Sequence, residues 1–305
     1  MPRSRWALAA LCIALLATSL MVKSTFLAIL LVWVAINVLL TASFRFVLLI
    51  GELNFAIAGF VGIGAYVAAC ATTMLHAPLL VALALGAGAA GLASLVFGYV
   101  ILRVKGPYFL LISFAFTEVL RLLYTRTDAI GGNSGLVGIF PPAWMTPYYP
   151  ALVLLLVMAG LLLLYRLERS DFGKILVAIR NNDQLVQTVG IDVHRTKVWC
   201  LAVASVVAGL CGGLLAHANN VISPGDFGFL LAVFTLAYLK VGGEGHILGA
   251  ALGATLLTLL AQYALGFGAY EHIFYGGAIV LAVLLLPDGL FGLPRRWRER
   301  ARRGG

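Results

Sequence analysis

The chain of 305 residues is 62% hydrophobic and only 11% charged, and its mean hydropathy is +1.02. A soluble domain carries about a quarter charged residues, so this composition excludes that class and indicates a polytopic membrane protein. The formal net charge of +9 does not indicate nucleic-acid binding, because the basic residues collect at the ends of apolar runs and form no continuous face.

Ten apolar runs approach or exceed the roughly 20 residues that cross a bilayer. They are Trp6 to Val22, Ser24 to Ala42, Phe46 to Leu75, Ala77 to Leu102, Pro107 to Tyr124, Tyr148 to Tyr165, Val198 to Ala218, Phe227 to Val241, Ile247 to Leu265 and Tyr270 to Leu286. The first run follows two arginines but has no small-residue cleavage site, so we predict a span or signal anchor. The predicted fold is all-α, a single domain over residues 1–305 with about ten spans.

The third run is interrupted by polar residues in the sequence GELNFAIAGFVGIGAY. Glu52 and Asn54 lie at predicted membrane depth, where lipid offers their side chains no hydrogen-bond partner. They therefore need a cavity or a protein partner, and we predict an interrupted or re-entrant helix. Gly62 and Gly64 follow shortly afterwards and favour close helix packing.

A flexible polar loop follows the fifth run, with the sequence TDAIGGNSGLVGIFPPAW. Glycines and polar residues of this kind favour a loop, and Pro141 and Pro142 mark its end. The number of spans before it predicts that this loop lies outside the cell.

Residues 166–197 form one long polar segment and contain ten of the 33 charged residues. Apolar residues recur inside it at the spacing of one helix face: Phe172, Ile175, Leu176, Ile179 and Val186. We predict one amphipathic helix of about 18 residues, roughly 27 Å long, capped by Ser170 or Asp171 and ended by Gly190. Periodicity leaves two interpretations open, a helix that docks on another protein and a helix that lies on the membrane surface.

The positions of the basic residues give an independent test of the span count. With six spans before the polar segment and four after it, both termini and this segment share one side of the membrane. Of the 21 lysines and arginines, 17 fall on that side. The positive-inside rule therefore predicts that both termini and the polar segment are cytoplasmic, with the protein in a bacterial inner membrane.

Glycines at four-residue spacing predict grooves in which another helix backbone can rest: Gly209, Gly213, Gly245, Gly249 and Gly253. Glu118 and Arg121 stand three residues apart, and Lys240 and Glu244 stand four apart. At these spacings two opposite charges lie on one helix face and can neutralise each other. A proton or sodium pathway would use similar residues, so an ion-coupled secondary transporter is an alternative.

The sequence carries little evidence for catalysis. It contains no phosphate-binding GxxxxGK motif, so ATP binding of that type is not expected. Ser134 lies in a GxSG motif, and with His217 or His246 it could suggest an intramembrane serine protease. That alternative is disfavoured because two prolines follow within eight residues. The four cysteines lie in apolar runs without ligand spacing, and we predict no metal site.

Five motifs in order resemble the permeases of branched-chain amino-acid ABC importers, in particular the LivM type of the LivH/LivM family. They are Phe60 to Tyr66 (FVGIGAY), Gly131 to Leu136 (GGNSGL), Gly173 to Asn182, Ile222 to Pro224 (ISP), and Gly242 to Ala254. The similarity extends from about Val38 to Leu290. Departures include Ile130 in place of threonine and, in the late glycine-rich stretch, Glu244 and His246 in place of a neutral residue and a serine.

The resemblance implies a permease that works with a second LivH-like permease, two cytoplasmic ATPases that use ATP, and an extracytoplasmic binding protein. It implies no cofactor in this chain, no enzymatic activity, and branched-chain amino acids as substrate, with urea, amides or aromatic acids as alternatives. It places ATPase coupling in residues 166–197, at Phe172, Gly173, Lys174, Ile175, Ile179, Arg180, Asn181 and Gly190. Expected residues of the substrate pathway are Glu52, Asn54, Phe60, Gly131, Gly132, Asn133 and Ser134.

Overall fold

The structure is a computed structural model that describes residues 25–142, 144–285 and 289–292. The predicted first span, Trp6 to Val22, lies outside the described residues. So do Cys12 and the arginine-rich segment from residue 295 onward.

The described chain is mostly helical. Its α-helices are α1 (Thr25–Leu48), α2 (Ile57–Thr73), α3 (Leu79–Ile101), α4 (Pro107–Arg126), α5 (Tyr149–Arg169), α6 (Asp171–Asn181), α7 (Asp183–Thr188), α8 (Val193–Asn219), α9 (Phe229–Gly242), α10 (Ile247–Ala264) and α11 (Glu271–Leu285). Six described helices, α1, α3, α4, α5, α8 and α10, are long and apolar enough to cross a membrane, and three shorter apolar segments lie in α2, α9 and α11. The predicted all-α polytopic bundle is confirmed.

Helix α8 is the centre of the bundle. It has 27 residues and a length of about 40 Å, and 72% of its apolar span is buried. A Cβ atom on Gly64 of α2 would overlap the backbone of Gly209 on α8, and one on Gly86 of α3 would crowd the Gly64 carbonyl. The backbones of α2, α3 and α8 are therefore in direct contact, which only glycine allows.

Helix α1 continues past the predicted end of the second span. It includes residues 43–45, which we had predicted to separate two spans, and ends at Leu48. That boundary is wrong because the polar side chains there have partners inside the protein. Ser43 donates its hydroxyl to the Ala204 carbonyl (2.7 Å), and Arg45 forms an ion pair. The predicted interruption is present at residues 49–56, between α1 and α2.

The bundle has two distinct ends. At one, Lys105 before α4 pairs with Asp183, and Arg45 of α1 pairs with Glu168. At the other, β1 (Leu136–Val137) pairs antiparallel with β2 (Val221–Ile222), just beyond the ends of α4 and α8. We call these the polar end, which carries residues 166–197, and the loop end, which carries residues 127–148 and 220–228.

The polar segment contains two helices, so the prediction of one continuous 18-residue helix is wrong. Asn182 is extended (φ −161°, ψ 101°), and its side-chain oxygen accepts hydrogen bonds from the backbone N–H groups of Gln184 and Leu185. It therefore ends α6 and caps α7. Ser170 occupies the cap position of α6, but its hydroxyl donates backward to the Leu167 carbonyl. Gly190 has a left-handed backbone (φ +84°), as predicted.

Candidate functional site

The expected pathway residues lie at opposite ends of the molecule. Glu52 and Asn54 are buried near the polar end, whereas Asn133 and Ser134 are exposed at the loop end. Phe60 lies between the two ends in the core, where its ring packs against Phe97 and Phe116. Gly131 and Gly132 lie at the loop end, in the same short turn as Ser134. The structure therefore does not bring these residues into one pocket.

A polar cavity of about 340 Å³ lies at the polar end, between the interruption before α2 and the helices α6 and α7. Charged and polar groups supply much of its wall. The lining residues are Ile50, Gly51, Glu52, Lys105, Ile179, Arg180, Asn181, Asn182, Asp183, Gln184 and Lys197. Arg180 and Asn181, predicted to couple the chain to an ATPase, thus border the same cavity as Glu52.

Asp183 joins three parts of the chain at this cavity. Its carboxylate accepts hydrogen bonds from Lys105, in the turn before α4, and from Lys197 on α8 (3.1 Å). Burial alone would raise the pKa of Asp183, but the two lysine hydrogen bonds outweigh it and hold the pKa below its ordinary value. Sequence reasoning missed this arrangement, because Lys105 lies 78 residues away from Asp183.

Glu52 is held by the turn before α4. Its carboxylate accepts a hydrogen bond from the backbone N–H of Gly106 at 3.0 Å. Burial raises the pKa of Glu52, and this exceeds the opposing effects of the Gly106 bond and the nearby lysines. The predicted need of Glu52 for a cavity and a partner is therefore met at the polar end.

Several expected coupling residues face the chain itself. Gly173, Leu176 and Ile179 are buried, and a Cβ on Gly173 would overlap the Glu168 backbone. Phe172 and Ile175 are half-buried against the same interior. These residues fix how α6 packs against α5, and the buried Gly173 and Ile179 offer no surface to another protein. Lys174 is exposed and pairs with Asp171.

Helices α6 and α7 expose a different set of apolar side chains. Val177 is 43% exposed, Leu185 65% and Val189 76%. Lys174 and Asn181 are exposed near them. Single exposed apolar side chains are common on protein surfaces, whereas several that lie together mark a contact with another protein. These three are the candidates for such a contact in this segment. The sequence pattern did not identify this set, because it picked out the apolar stripe of Phe172, Ile175, Leu176, Ile179 and Val186, which the structure turns toward the interior.

Arg45 ties three elements together at the polar end. Its guanidinium forms two 2.8 Å hydrogen bonds with the carboxylate of Glu168, and it donates to the carbonyls of Glu244 and Gly245. The Arg45 side chain is only 4% exposed and that of Glu168 24%, so water reaches the bidentate pair only from the glutamate side. The turn between α9 and α10 is thereby fixed to the ends of α1 and α5. This end also includes Lys240, which pairs with Glu244.

The late glycines pack α9 against α10. Cβ atoms on Gly249 or Gly253 would overlap backbone atoms of residues 238–243. The prediction that Gly245 belongs to this groove is wrong, because Gly245 lies in the turn between the helices and a Cβ atom there would meet no other atom within 4 Å. On α8, Gly213 lies against Leu83 and Ala68, and on α2, Gly62 lies against Tyr124 and Phe227.

Helix α4 packs against α2 and against the residues from Asn54 that lead into it, and this contact, which we call the α2–α4 seam, contains polar atoms without partners. In the described part of the chain, six buried side-chain polar atoms have no hydrogen-bond partner. Four of the six belong to this seam: Asn54 Oδ1, Tyr66 Oη, Ser113 Oγ and Tyr124 Oη. Sequence reasoning named only Asn54 of this set. Thr117 is satisfied, because its hydroxyl donates to the Phe55 carbonyl at 2.9 Å.

The loop end has none of the geometry of a serine protease. Ser134 is exposed on a short turn, and His217 is buried in α8 with its ring nitrogens near Thr72 Oγ1 (2.9 Å) and the Gly213 carbonyl (2.8 Å). Thus His217 already has partners other than Ser134. Among the described residues there is also no group of three potential metal ligands.

The two charged pairs predicted from their spacing are present. Glu118 and Arg121 approach to 2.7 Å on α4, and Lys240 pairs with Glu244 at the end of α9. Glu118 also accepts a hydrogen bond from the backbone N–H of Phe229 (3.3 Å). This contact joins the middle of α4 to the start of α9.

Residues 26–284 match the family model described as the branched-chain amino acid transport system permease component. The chain is 27% identical over 275 residues to the high-affinity branched-chain amino acid transport system permease protein LivM of Escherichia coli K12. That alignment covers 80% of this chain and 65% of the relative. The chain thus spans just under two thirds of that relative's length.

Two further relatives carry different descriptions. A probable branched-chain amino acid transport permease protein LivH of Methanocaldococcus jannaschii is 31% identical over 49% of each chain. The L-arabinose ABC transporter permease protein AraH of Azospirillum brasilense is 27% identical, over 80% of this chain and 75% of the relative. No solved structure matches the chain.

Proposed function

The chain belongs to the family of permease components of branched-chain amino acid transport systems, and from this premise we propose that it is the membrane permease subunit of an ATP-driven importer. We propose leucine, isoleucine and valine as substrates. The family match over residues 26–284 is the observation that carries this proposal. The similarity to an arabinose permease shows that related permeases differ in substrate, so urea, amides and aromatic acids remain alternative substrates.

The proposed importer contains this chain, a second LivH-like permease, two cytoplasmic ABC ATPases and an extracytoplasmic binding protein. ATP is bound and hydrolysed by the ATPases, and this chain contributes no cofactor and no catalytic residue. The binding protein delivers the solute to the loop end. Similarity to a LivH protein supports a second permease of related sequence.

We propose that the second permease covers the outward face of α4. Only 22% of this helix's apolar span is buried within the chain. The Glu118–Arg121 pair is partly exposed on it, at 26% and 37%, among exposed side chains such as Val119 and Leu122. A charged pair at membrane depth is unfavourable next to lipid, and a protein neighbour or a water-filled pathway removes that cost.

We propose that the ATPases dock on the exposed apolar set Val177, Leu185 and Val189, with Lys174 and Asn181 at its edge. A groove that covers these side chains would remove their apolar surface from water. The buried residues Gly173 and Ile179 then act indirectly, by holding α6 in place. This assignment changes which side chains make the contact while keeping the coupling role in residues 166–197.

The contacts that α6 and α7 make with the bundle can transmit movement of the ATPases to it. Gly173 packs on the Glu168 backbone, which ties α6 to α5, and Asp183 ties α7 to the turn before α4 and to α8. Movement of the docked ATPases would therefore be transmitted to α4, α5 and α8. In this mechanism the bundle alternates between two rigid-body arrangements as ATP is bound and hydrolysed.

The test is reconstitution of the chain with its four partner subunits in liposomes, with leucine uptake and ATP hydrolysis measured together. In the variant Leu185→Glu, we expect loss of ATPase binding and at least a tenfold slower uptake, because a charge replaces an exposed apolar contact. The matched control is Gln187→Glu, which adds the same charge at an exposed position of the same helix. It should keep uptake within twofold of the wild type.

Normal ATP-driven uptake in Leu185→Glu would contradict the docking surface but leave the importer intact. Uptake by the chain without ATPases, driven by a sodium or proton gradient, would instead contradict the importer and favour a secondary transporter. Uptake of urea, amides or aromatic acids in place of leucine would contradict the proposed substrate but not the proposed importer.

A further inference from the structure

Tyr66 of α2 and Tyr124 of α4 form a stacked pair near the loop end of the α2–α4 seam. Their ring centroids are 4.3 Å apart with an interplanar angle of 23°, and the residues are only 3% and 6% exposed. Phe227 closes the cluster, with its ring edge-on to Tyr66 at 5.9 Å. Both hydroxyl groups are buried and lack a hydrogen-bond partner among the described residues.

Ring packing alone does not explain why these two residues are tyrosines. A buried hydroxyl without a partner is unfavourable, and phenylalanine would keep the stack without that cost. The same seam uses phenylalanine nearer the polar end, where Phe60 packs on Phe116 with centroids 5.4 Å apart. The two hydroxyls therefore indicate a partner that is absent when the seam is closed.

The α2–α4 seam is closely packed and lies at the edge of the bundle. The side chains of α4 lie in notches left by glycines of α2. A Cβ on Gly59 would lie 2.9 Å from Leu120, and one on Gly62 would lie 3.0 Å from Tyr124. Only 22% of the apolar span of α4 is buried within the chain, against 72% for α8, so α4 lies at the edge of the bundle and not in its core.

The remaining unpartnered atoms of the seam lie nearer the polar end. Ser113 is one helical turn before Thr117, which bonds to Phe55, and Asn54 immediately precedes Phe55. Polar atoms that neither lipid nor protein satisfies are typical of a path for polar solutes. The seam thus carries such atoms from the tyrosine pair to the neighbourhood of Glu52.

We infer that the hydroxyl groups of Tyr66 and Tyr124 contact the transported solute where it enters the α2–α4 seam from the loop end. This inference rests on the proposed importer function and extends it to a site. An uncharged phenol both donates and accepts a hydrogen bond. The pair therefore fits a small zwitterionic or amide solute, whose carboxylate or carbonyl oxygen would accept hydrogen bonds from the two hydroxyls. Two such bonds hold the solute weakly enough that it is released quickly.

The route is tested first, without assuming the substrate. Tyr66→Cys, Tyr124→Cys and the control Tyr149→Cys are made in a chain whose four native cysteines are replaced by alanine. Tyr149 is a suitable control because it is also buried at the loop end, but its hydroxyl donates to the Leu214 carbonyl at 2.6 Å. In the ATP-hydrolysing complex, a small sulfonated methanethiosulfonate should label the two seam cysteines at least tenfold faster than the control. Equal labelling would overturn the inference.

Substrate contact is tested with Tyr66→Phe and Tyr124→Phe, using radiolabelled leucine. We expect initial uptake to fall about fivefold for each variant, which corresponds to about one hydrogen bond. The melting temperature should not fall, because no bond within the chain is lost. Tyr149→Phe should lower the melting temperature while uptake stays within twofold.

If the wild-type complex transports leucine and both phenylalanine variants transport it equally fast, the two hydroxyls do not contact the substrate and the inference is overturned. If the wild-type complex transports no leucine, the proposed substrate fails, and the labelling result alone decides whether the seam is the solute route.

Discussion

Single residues at the polar end depend on partners that are distant in sequence. Arg45 meets Glu168 across 123 positions, and Lys197 meets Asp183 across 14. Gly173 depends on a partner much nearer in the chain, because its lack of a side chain is required by the Glu168 backbone. A tryptophan at position 173 would therefore disrupt packing within this chain, so loss of uptake in such a variant would not report on docking.

His246 combines a structural role with a charge that changes near neutral pH. Its Nδ1 atom accepts a hydrogen bond from the backbone N–H of Leu248 (3.1 Å), which caps α10 and requires the neutral ring. Partial burial lowers the pKa of His246, and Arg45 and Arg169 lower it further against the opposing effect of Glu168. A lowered pKa means that His246 favours folding above its ordinary pKa near 6.5, and this contribution is lost as the pH falls through the lower value.

We predict that the free energy of unfolding of the purified chain decreases by about 1 kcal/mol as the pH is lowered from 7 through the pKa of His246, the usual value of one N-cap. The variant His246→Asn keeps a neutral cap at every pH and should remove that part of the pH dependence. Denaturant titrations at several pH values measure it. Identical pH profiles for the two chains would contradict the role given to His246.

At the scale of elements, α6 and α7 each begin with an aspartate that pairs with a lysine. Asp171 of α6 is fully exposed with Lys174, whereas Asp183 of α7 pairs with the buried Lys197. Surface ion pairs contribute little to stability, but removing one member of a buried pair leaves an uncompensated charge. The two aspartates thus occupy equivalent helix positions with different surroundings.

We predict that Asp183→Asn lowers the free energy of unfolding by about 3 kcal/mol, because Lys197 and Lys105 lose their anion. Asp171→Asn, the matched control, should leave it unchanged. Denaturant titration of the purified chain measures both, and protease digestion should show earlier cleavage near α7 in Asp183→Asn alone. Equal stability of the two variants would show that Asp183 does not hold α7 to the bundle.

For the whole molecule, the structure separates the polar end from the loop end but contains no membrane that would orient them. The basic residues supply the orientation. The polar end carries Arg45, Lys105, Lys240 and the six basic residues of segment 166–197. Such an excess favours the cytoplasmic side, because positive charge opposes translocation.

We predict that Gln187→Cys, in the cysteine-free chain, reacts with a membrane-impermeant maleimide only after the cells are permeabilised. Asn133→Cys, which is exposed at the loop end, should react in intact cells. Mass spectrometry of the labelled chain measures both. Reaction of Gln187→Cys in intact cells would reverse the orientation and with it the proposed site of ATPase docking.

The sequence by itself determined the properties that depend on short stretches of chain. Runs of apolar residues predicted the spans, and glycines at four-residue spacing predicted close packing at Gly249 and Gly253. Polar residues from 51 to 54 predicted the interruption before α2. Ordered motifs also predicted the family, because each one is a local pattern that can be recognised without a fold.

Only the tertiary structure decided which residues meet. The break at Asn182 divides the polar segment into two helices, yet Ile179 before the break and Val186 after it pack in the same buried cluster. The pairing of Asp183 with Lys105, and the stacking of Tyr66 on Tyr124, join positions far apart in the chain. Such contacts depend on how helices pack against one another, and helix packing is set by long-range fit that hydropathy and periodicity do not encode.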